Sequence, residues 1–288
     1  MPTFDTPEPI SATIELALGD VKISAGDRAD TVVDVEPNDA SDAEDRKAAE
    51  LTRVEYANGR LLVRSPKARS WIPRRSGGSI SVTIELPAGS HLRGSAGVAD
   101  FHADGPLGDC VIETGVGRIQ LDEARTLTIK SGTGDVSVDY VSGHAEISMA
   151  SGDVRIRELG AGAVIKESNG DTWVGVAGGD LEVGKANGSI AVDQANGAVN
   201  AKTARGDLRI GEVVRGSVVL ETYLGDVEVG IREGTAAWLD VRATAGSVNN
   251  ELDAADAPQS SAETVEVRAR TTVGDVVVRR ARTNVVSA

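Results

Sequence analysis

The chain has 288 residues and a mass of 29.8 kDa, with 33 glycines, one cysteine, 3% aromatics, and 44 acidic against 30 basic residues for a net charge of -14. That acidity argues against a groove for nucleic acid, whose phosphates must be neutralised, and one cysteine cannot form an internal disulfide. No run nears the roughly 18 apolar residues of a membrane span, and the start, MPTFDTPEP, lacks a basic stretch followed by an apolar one, so a soluble, cytoplasmic protein is the expectation.

In chain order, Ala12 to Leu18, Thr31 to Val35, Gly59 to Arg64 and Ser79 to Leu86 read as strands. Between them SDAEDRKAAELTRVEY, from Ser41, places serine and aspartate ahead of an acidic, alanine-rich stretch. That permits either a short surface helix with a favourable negative first turn or a solvated loop. Residues 1–89 are therefore expected to form a β-rich N-terminal cap, with the boundary near Pro87-Ala88-Gly89. A terminal coil would otherwise expose its apolar cross-section.

From Gly117 onward a phrase recurs: glycine, then usually aspartate or serine, then an aliphatic residue. It stands at Gly117, Gly134, Gly152, Gly170, Gly188, Gly206, Gly225, Gly246 and Gly274, at intervals of 17, 18 four times, 19, 21 and 28. Weaker echoes at His144, Gly162, Gly179 and Gly197 halve the repeat to about nine residues. Each half is too short for a helix, and pairs such as Val136/Val138, Val154/Ile156, Leu181/Val183 and Leu208/Ile210 alternate as a strand with one buried face does. A meandering barrel would use even strands too, but a constant period favours coils stacked along an axis. The expected fold is all-β: a single-chain β-solenoid, parallel β-helix-like, with repeats of about 18 residues across residues 90–288 and C-terminal capping strands. LDAADAPQSSAETVEV from Leu252 reads as a surface excursion before a last strand pair, Thr264 to Ala269 and Asp275 to Arg279.

The strand ISVTIELPAG from Ile80, followed by TGVGRIQL, SGTGDVSV, ASGDVRI and ARGDLRI, resembles the bacterial DUF4097 family of β-strand repeat proteins, often labelled "putative adhesin". The resemblance runs from about Ile80 to Arg279. It implies a β-helix-like fold and transfers no catalytic residue.

Candidate chemistry is sparse. Asp135, Asp153, Asp171, Asp207, Asp226 and Asp275 recur at equivalent positions and read as turn residues accepting backbone hydrogen bonds, in preference to a calcium ladder. His91, His102 and His144 lack a four-ligand zinc arrangement, and Cys110 fills an aliphatic slot. No phosphate loop or nucleophile elbow is present, since the glycine phrases lead straight into strands. No cofactor, metal or catalytic residue is expected, and the protein reads as no enzyme. Partner binding is the better clue. Strand parity turns Trp173 outward between inward Thr172 and Val174; Trp238 lies in the long interval after Gly225, and Tyr223 precedes that glycine; Trp71 sits in the locally basic RSPKARSWIPRRSGG. These four mark a possible partner-binding surface. The leading expectation is a non-enzymatic structural or protein-interaction module, the alternative a carbohydrate-binding or cell-surface adhesin-like one, with a polysaccharide-acting enzyme third.

Overall fold

The computed structural model describes residues 1–66, 78–252 and 263–281, so Trp71 and most of the excursion after Leu252 lie outside the described residues. The chain gathers into two compact units, residues 1–143 with 147–151, and residues 144–146 with 152–288.

The first unit holds β1 (Thr3–Asp5), β2 (Ser11–Gly26), β3 (Asp30–Pro37), α1 (Ala43–Leu51), β4 (Arg53–Ala57), β5 (Arg60–Arg64), β6 (Ile80–Pro87), β7 (His91–Val116), β8 (Ile119–Thr133) and β9 (Val136–Val141). β10 (Ala145–Ser151) is divided between the units. β2, β7, β8 and β9 are successive parallel strands. Their register aligns Val21, Phe101, Ile119 and Val136 in one buried column, and Ile23, Ala103, Leu121 and Val138 in the next. Parallel pairing thus begins as early as Ser11. On its other edge β2 meets β5 and then β6, also parallel, while β1, β3 and β4 add antiparallel pairings. The segment from Ser41 does form a helix. Asp42 caps it, its Oδ1 accepting from the Glu44 and Asp45 N–H groups at 2.7 and 3.4 Å, and both acids suit the positive end of the helix.

The second unit is β11 (Val154–Leu159), β12 (Ala163–Asn169), β13 (Thr172–Ala177), β14 (Leu181–Asn187), β15 (Ile190–Ala195), β16 (Val199–Arg205), β17 (Leu208–Val213), β18 (Gly216–Leu224), β19 (Val227–Ile231), β20 (Ala236–Ala245), β21 (Val248–Asn250), β22 (Thr264–Val273) and β23 (Val276–Arg280). From β11 to β17 each strand pairs in parallel with the strand two further along, so odd and even strands build two faces. The fold is a β-solenoid of short parallel strands, as the 18-residue period requires. Inward columns run Ala163, Leu181, Val199, Val218 and Ile165, Val183, Ala201, Leu220 on one face. Ile156, Val174, Val192, Ile210 and Val229 line the other. All are 2% exposed or less, and each buried valine, leucine or isoleucine contributes about 1.5–3 kcal/mol of transfer free energy. That is how a chain with so few aromatics sustains a core.

The recurring glycine is fixed by geometry. Gly170 and Gly188 have φ of 131° and 119°, and a Cβ on Gly170 would stand 1.9 Å from the carbonyl oxygen of Gly152 one coil away. Only hydrogen fits there.

The C-terminal coils leave chain order. β22 and β23 pair with β18 and β19, and β20 and β21 pair with β22 and β23 from the far side. The last strand pair in sequence is therefore the penultimate coil in space. The outermost place falls to β20 and β21, which the 28-residue interval after Gly246 makes possible.

Candidate functional site

Because the inward positions are buried in columns, most of them aliphatic, recognition falls to the outward side chains. Trp173 points outward, as parity requires, between Thr172 and Val174 at 1% and 0% exposure. It is half-buried, held between neighbours. The Arg155 guanidinium lies 5.8 Å from its ring centroid, and its Nε1 donates to Asp193 Oδ1 at 3.3 Å. The cation–π contact and the hydrogen bond use much of what an indole offers a partner. Tyr223 is 64% exposed and stands beside Leu224 and Val273, which are paired in register and 46% and 42% exposed.

Trp238, on the outermost strand, is 57% exposed. It borders a depression of about 600 Å³ whose polar lining is Thr264, Glu266 and Arg268. Register places Trp238 beside Glu266, Asp240 beside Arg268 and Arg242 beside Arg270. Within this group Arg268 Nη2 meets Glu266 Oε1 at 2.6 Å, while Asp240 is held by Arg242 at 3.1 Å and by Arg270 at 3.3 Å. An open indole thus adjoins fixed donors and acceptors on one sheet face. Sequence reasoning singled out Trp238 but missed Glu266 and Arg268, because the non-sequential order of the last coils brings them to it.

Asp153, Asp171, Asp207, Asp226 and Asp275 accept backbone hydrogen bonds, with one difference from a local turn: each reaches the next coil. Asp153 Oδ1 takes the Asp171 N–H at 2.9 Å, Asp171 that of Ser189 at 2.7 Å, Asp207 that of Asp226 at 2.9 Å, Asp226 that of Asp275 at 2.8 Å, and Asp275 that of Ser247 at 2.7 Å. A backbone donor thus occupies one carboxylate oxygen of each that a cation ladder would use. Among the described residues no group of three or more His, Cys, Asp or Glu is placed to hold a metal ion. His91 Nδ1 accepts from the Asp109 N–H at 2.9 Å, and His102 Nε2 lies 3.0 Å from Asp104. Cys110 is 1% exposed, and burial first, then Asp109, pushes its thiol up to about 12, away from nucleophilic chemistry. No described helix is long and apolar enough to cross a membrane.

The family model described as Toastrack DUF4097 matches residues 11–281. Among solved structures the chain is similar to a "putative adhesin" from Parabacteroides distasonis, at 14% identity over 96% of this chain and 95% of that one, with a TM-score of 0.40. It is also similar to a "putative cell adhesion protein" from Clostridium sporogenes, at 12% identity over 97% and 98% with a TM-score of 0.23. A "putative lipid binding protein" from P. distasonis matches at 11% identity over 98% and 96%, with a TM-score of 0.28. No curated protein matches. The expected cytoplasmic location is corrected here: the similar structures are named "putative adhesin" and "putative cell adhesion protein". The expectation rests on the lack of a long apolar run and on the character of the first few residues, neither of which the solenoid itself constrains.

Proposed function

The chain belongs to the Toastrack DUF4097 family, and from that premise we propose that it is an adhesin-type binding module whose outermost coils take a carbohydrate at Trp238. It is a non-catalytic, β-sheet-rich module. One observation carries the finer reading: a 57% exposed indole adjoins an open depression edged by the Glu266–Arg268 ion pair. The apolar face of a pyranose stacks on an indole. Its hydroxyls then find a guanidinium donor, a carboxylate acceptor and the Thr264 hydroxyl around it, the few placed polar groups that orient a ligand. Residues 1–89 are the cap of this module in the same proposal.

The test is retention of the intact protein on a panel of immobilised polysaccharides. At least one member should retain it, and Trp238→Ala should abolish that retention while the melting temperature stays within a degree or two. Retention by none, or equal retention of the alanine variant, would remove the carbohydrate reading. A second reading, a protein partner, rests on the contiguous exposed Tyr223, Leu224 and Val273. Trp173 belongs to that reading only if Arg155 and Asp193 release it, and a Tyr223→Ala protein that keeps a captured partner would exclude this patch.

A further inference from the structure

We propose that the outer edge of β20 is a self-association site, where a second copy of this chain pairs antiparallel about a two-fold axis through Val241. The inference does not depend on the carbohydrate reading. Among the described residues β20 is hydrogen-bonded along one edge only, to β22, whereas β2 in the first unit is paired on both sides. Ten residues of parallel strand thus end in a row of free backbone donors and acceptors, the feature that templates strand addition. The inward columns end there too. Leu239 continues the line through Val218 and Val267, and Val241 the line through Leu220 and Ala269. Where the earlier members are buried, Leu239 and Val241 are partly exposed, and Val248 is 44% exposed.

The occupant follows from charge. A strand that pairs antiparallel with its own copy sets residue i opposite residue j at a constant sum of numbers. Centred on Val241, Asp240 faces Arg242 of the second copy and Arg242 faces its Asp240. Inward, Leu239 meets Ala243, and outward, Trp238 meets Thr244. Moving the centre to Asp240 or to Arg242 sets like charges directly opposite, which destabilises a pair. A shift of a single residue in the pairing sets inward against outward side chains. Only the register centred on Val241 sets Asp240 and Arg242 opposite each other while keeping inward against inward, and it is isologous, so it closes as a dimer and does not propagate. It would place the two Trp238 side chains on one continuous sheet face. They would be offset by six residues, roughly 20 Å at ~3.3 Å per residue, a spacing suited to bivalent attachment.

Sedimentation equilibrium of the full chain tests this. The wild type should weigh twice the chain mass. Arg242→Asp alone and Asp240→Arg alone should each raise the dissociation constant at least about tenfold, since each sets like charges opposite twice. An equimolar mixture of the two should dimerise again, because every facing pair is then opposite in sign. Circular dichroism reports whether each variant keeps its strands. Val241→Cys gives a second reading independent of charge. Opposed residues at the axis have Cα atoms about 4.5–5.5 Å apart, within disulfide reach, so mild oxidation should give a covalent dimer. Leu239→Cys, displaced along the strand from its own copy, should not. Buried Cys110 does not compete. A wild type that is monomeric across the accessible concentration range would overturn the proposal. So would charge variants that dimerise as well as the wild type, or cross-linking equal at 239 and 241.

Discussion

Inside the second unit, Glu167 and Lys185 occupy adjacent places in an inward column that continues as Thr203, Thr222 and Thr271. Their side chains are 0% exposed, with Lys185 Nζ 2.7 Å from Glu167 Oε2. Thr172 Oγ1 also donates to Oε2 at 3.0 Å, while Oε1 has no hydrogen-bond partner among the described residues. Each threonine of the column donates to the carbonyl of a recurring glycine: Thr203 to Gly188 at 3.1 Å, Thr222 to Gly206 at 3.0 Å, Thr271 to Gly225 at 2.8 Å. Lys185 does the same to Gly170 at 2.8 Å. A carboxylate cannot donate, so Glu167 is the member that breaks the pattern. Lys185→Thr keeps a donor for Gly170 but strands Glu167 without a counter-ion, at a cost of about 3–5 kcal/mol. Glu167→Thr strands the ammonium, at a similar cost. Replacing both restores a continuous hydroxyl column and removes an orphaned oxygen. The double variant should match the wild type or exceed it by about 1–4 kcal/mol, a strong departure from additivity.

Urea unfolding at constant m-value measures all three variants. Burial holds the Glu167 carboxyl above its ordinary value of 4.5, with Lys185 and Thr172 opposing. A raised acid binds its proton more tightly folded than unfolded. Its contribution to stability is thus present below pH 4.5 and is lost as pH rises through the folded value. The wild type should therefore lose ground to the double variant over that rise. Two nearly neutral single variants, or a double variant as unstable as their sum, would refute the reasoning.

Other variants probe the repeat itself. Gly170→Ala should destabilise by at least about 2 kcal/mol in the same urea assay, from positive φ and collision with the Gly152 carbonyl; an unchanged midpoint would mean that the coils sit further apart. Ile156→Asp puts a charge at a 0% exposed position and should cost more than about 4 kcal/mol or prevent folding; thermal unfolding close to wild type would remove Ile156 from the core. Asp171→Ala removes the acceptor of the Ser189 N–H on an exposed edge and should cost only about 0.5–1.5 kcal/mol. Millimolar calcium should leave the melting temperature of wild type unchanged, and a saturable rise would show that a cation competes for these carboxylates.

The solenoid was legible because its two determinants are local: a glycine whose neighbours leave no room for Cβ, and an aliphatic pair two residues apart. Trp173 was legible as outward by the same parity. Its containment by Arg155 and Asp193 was not, since one partner lies 18 residues before it and the other 20 after. The aspartates read as turn residues, and only three-dimensional stacking reveals that their acceptors serve the next coil. Glu167 and Lys185 interrupt the aliphatic template, and nothing in a charged residue's identity marks it as inward. The order of the last coils was hidden most deeply. A period is a statement about neighbours in sequence, and β22 takes as neighbours two strands from either side of a crossing, bringing Glu266 and Arg268 to Trp238.

Carbohydrate recognition at Trp238 is tested most directly by its own emission, excited selectively over the three tyrosines, in a Trp71→Phe, Trp173→Phe protein that leaves this indole as the single tryptophan. Titration with soluble forms of the polysaccharide panel should give, for at least one member, a saturable change in intensity or wavelength as a sugar ring covers the indole. Emission that stays flat across the whole panel, in a protein that retains its strand content, would contradict the assignment.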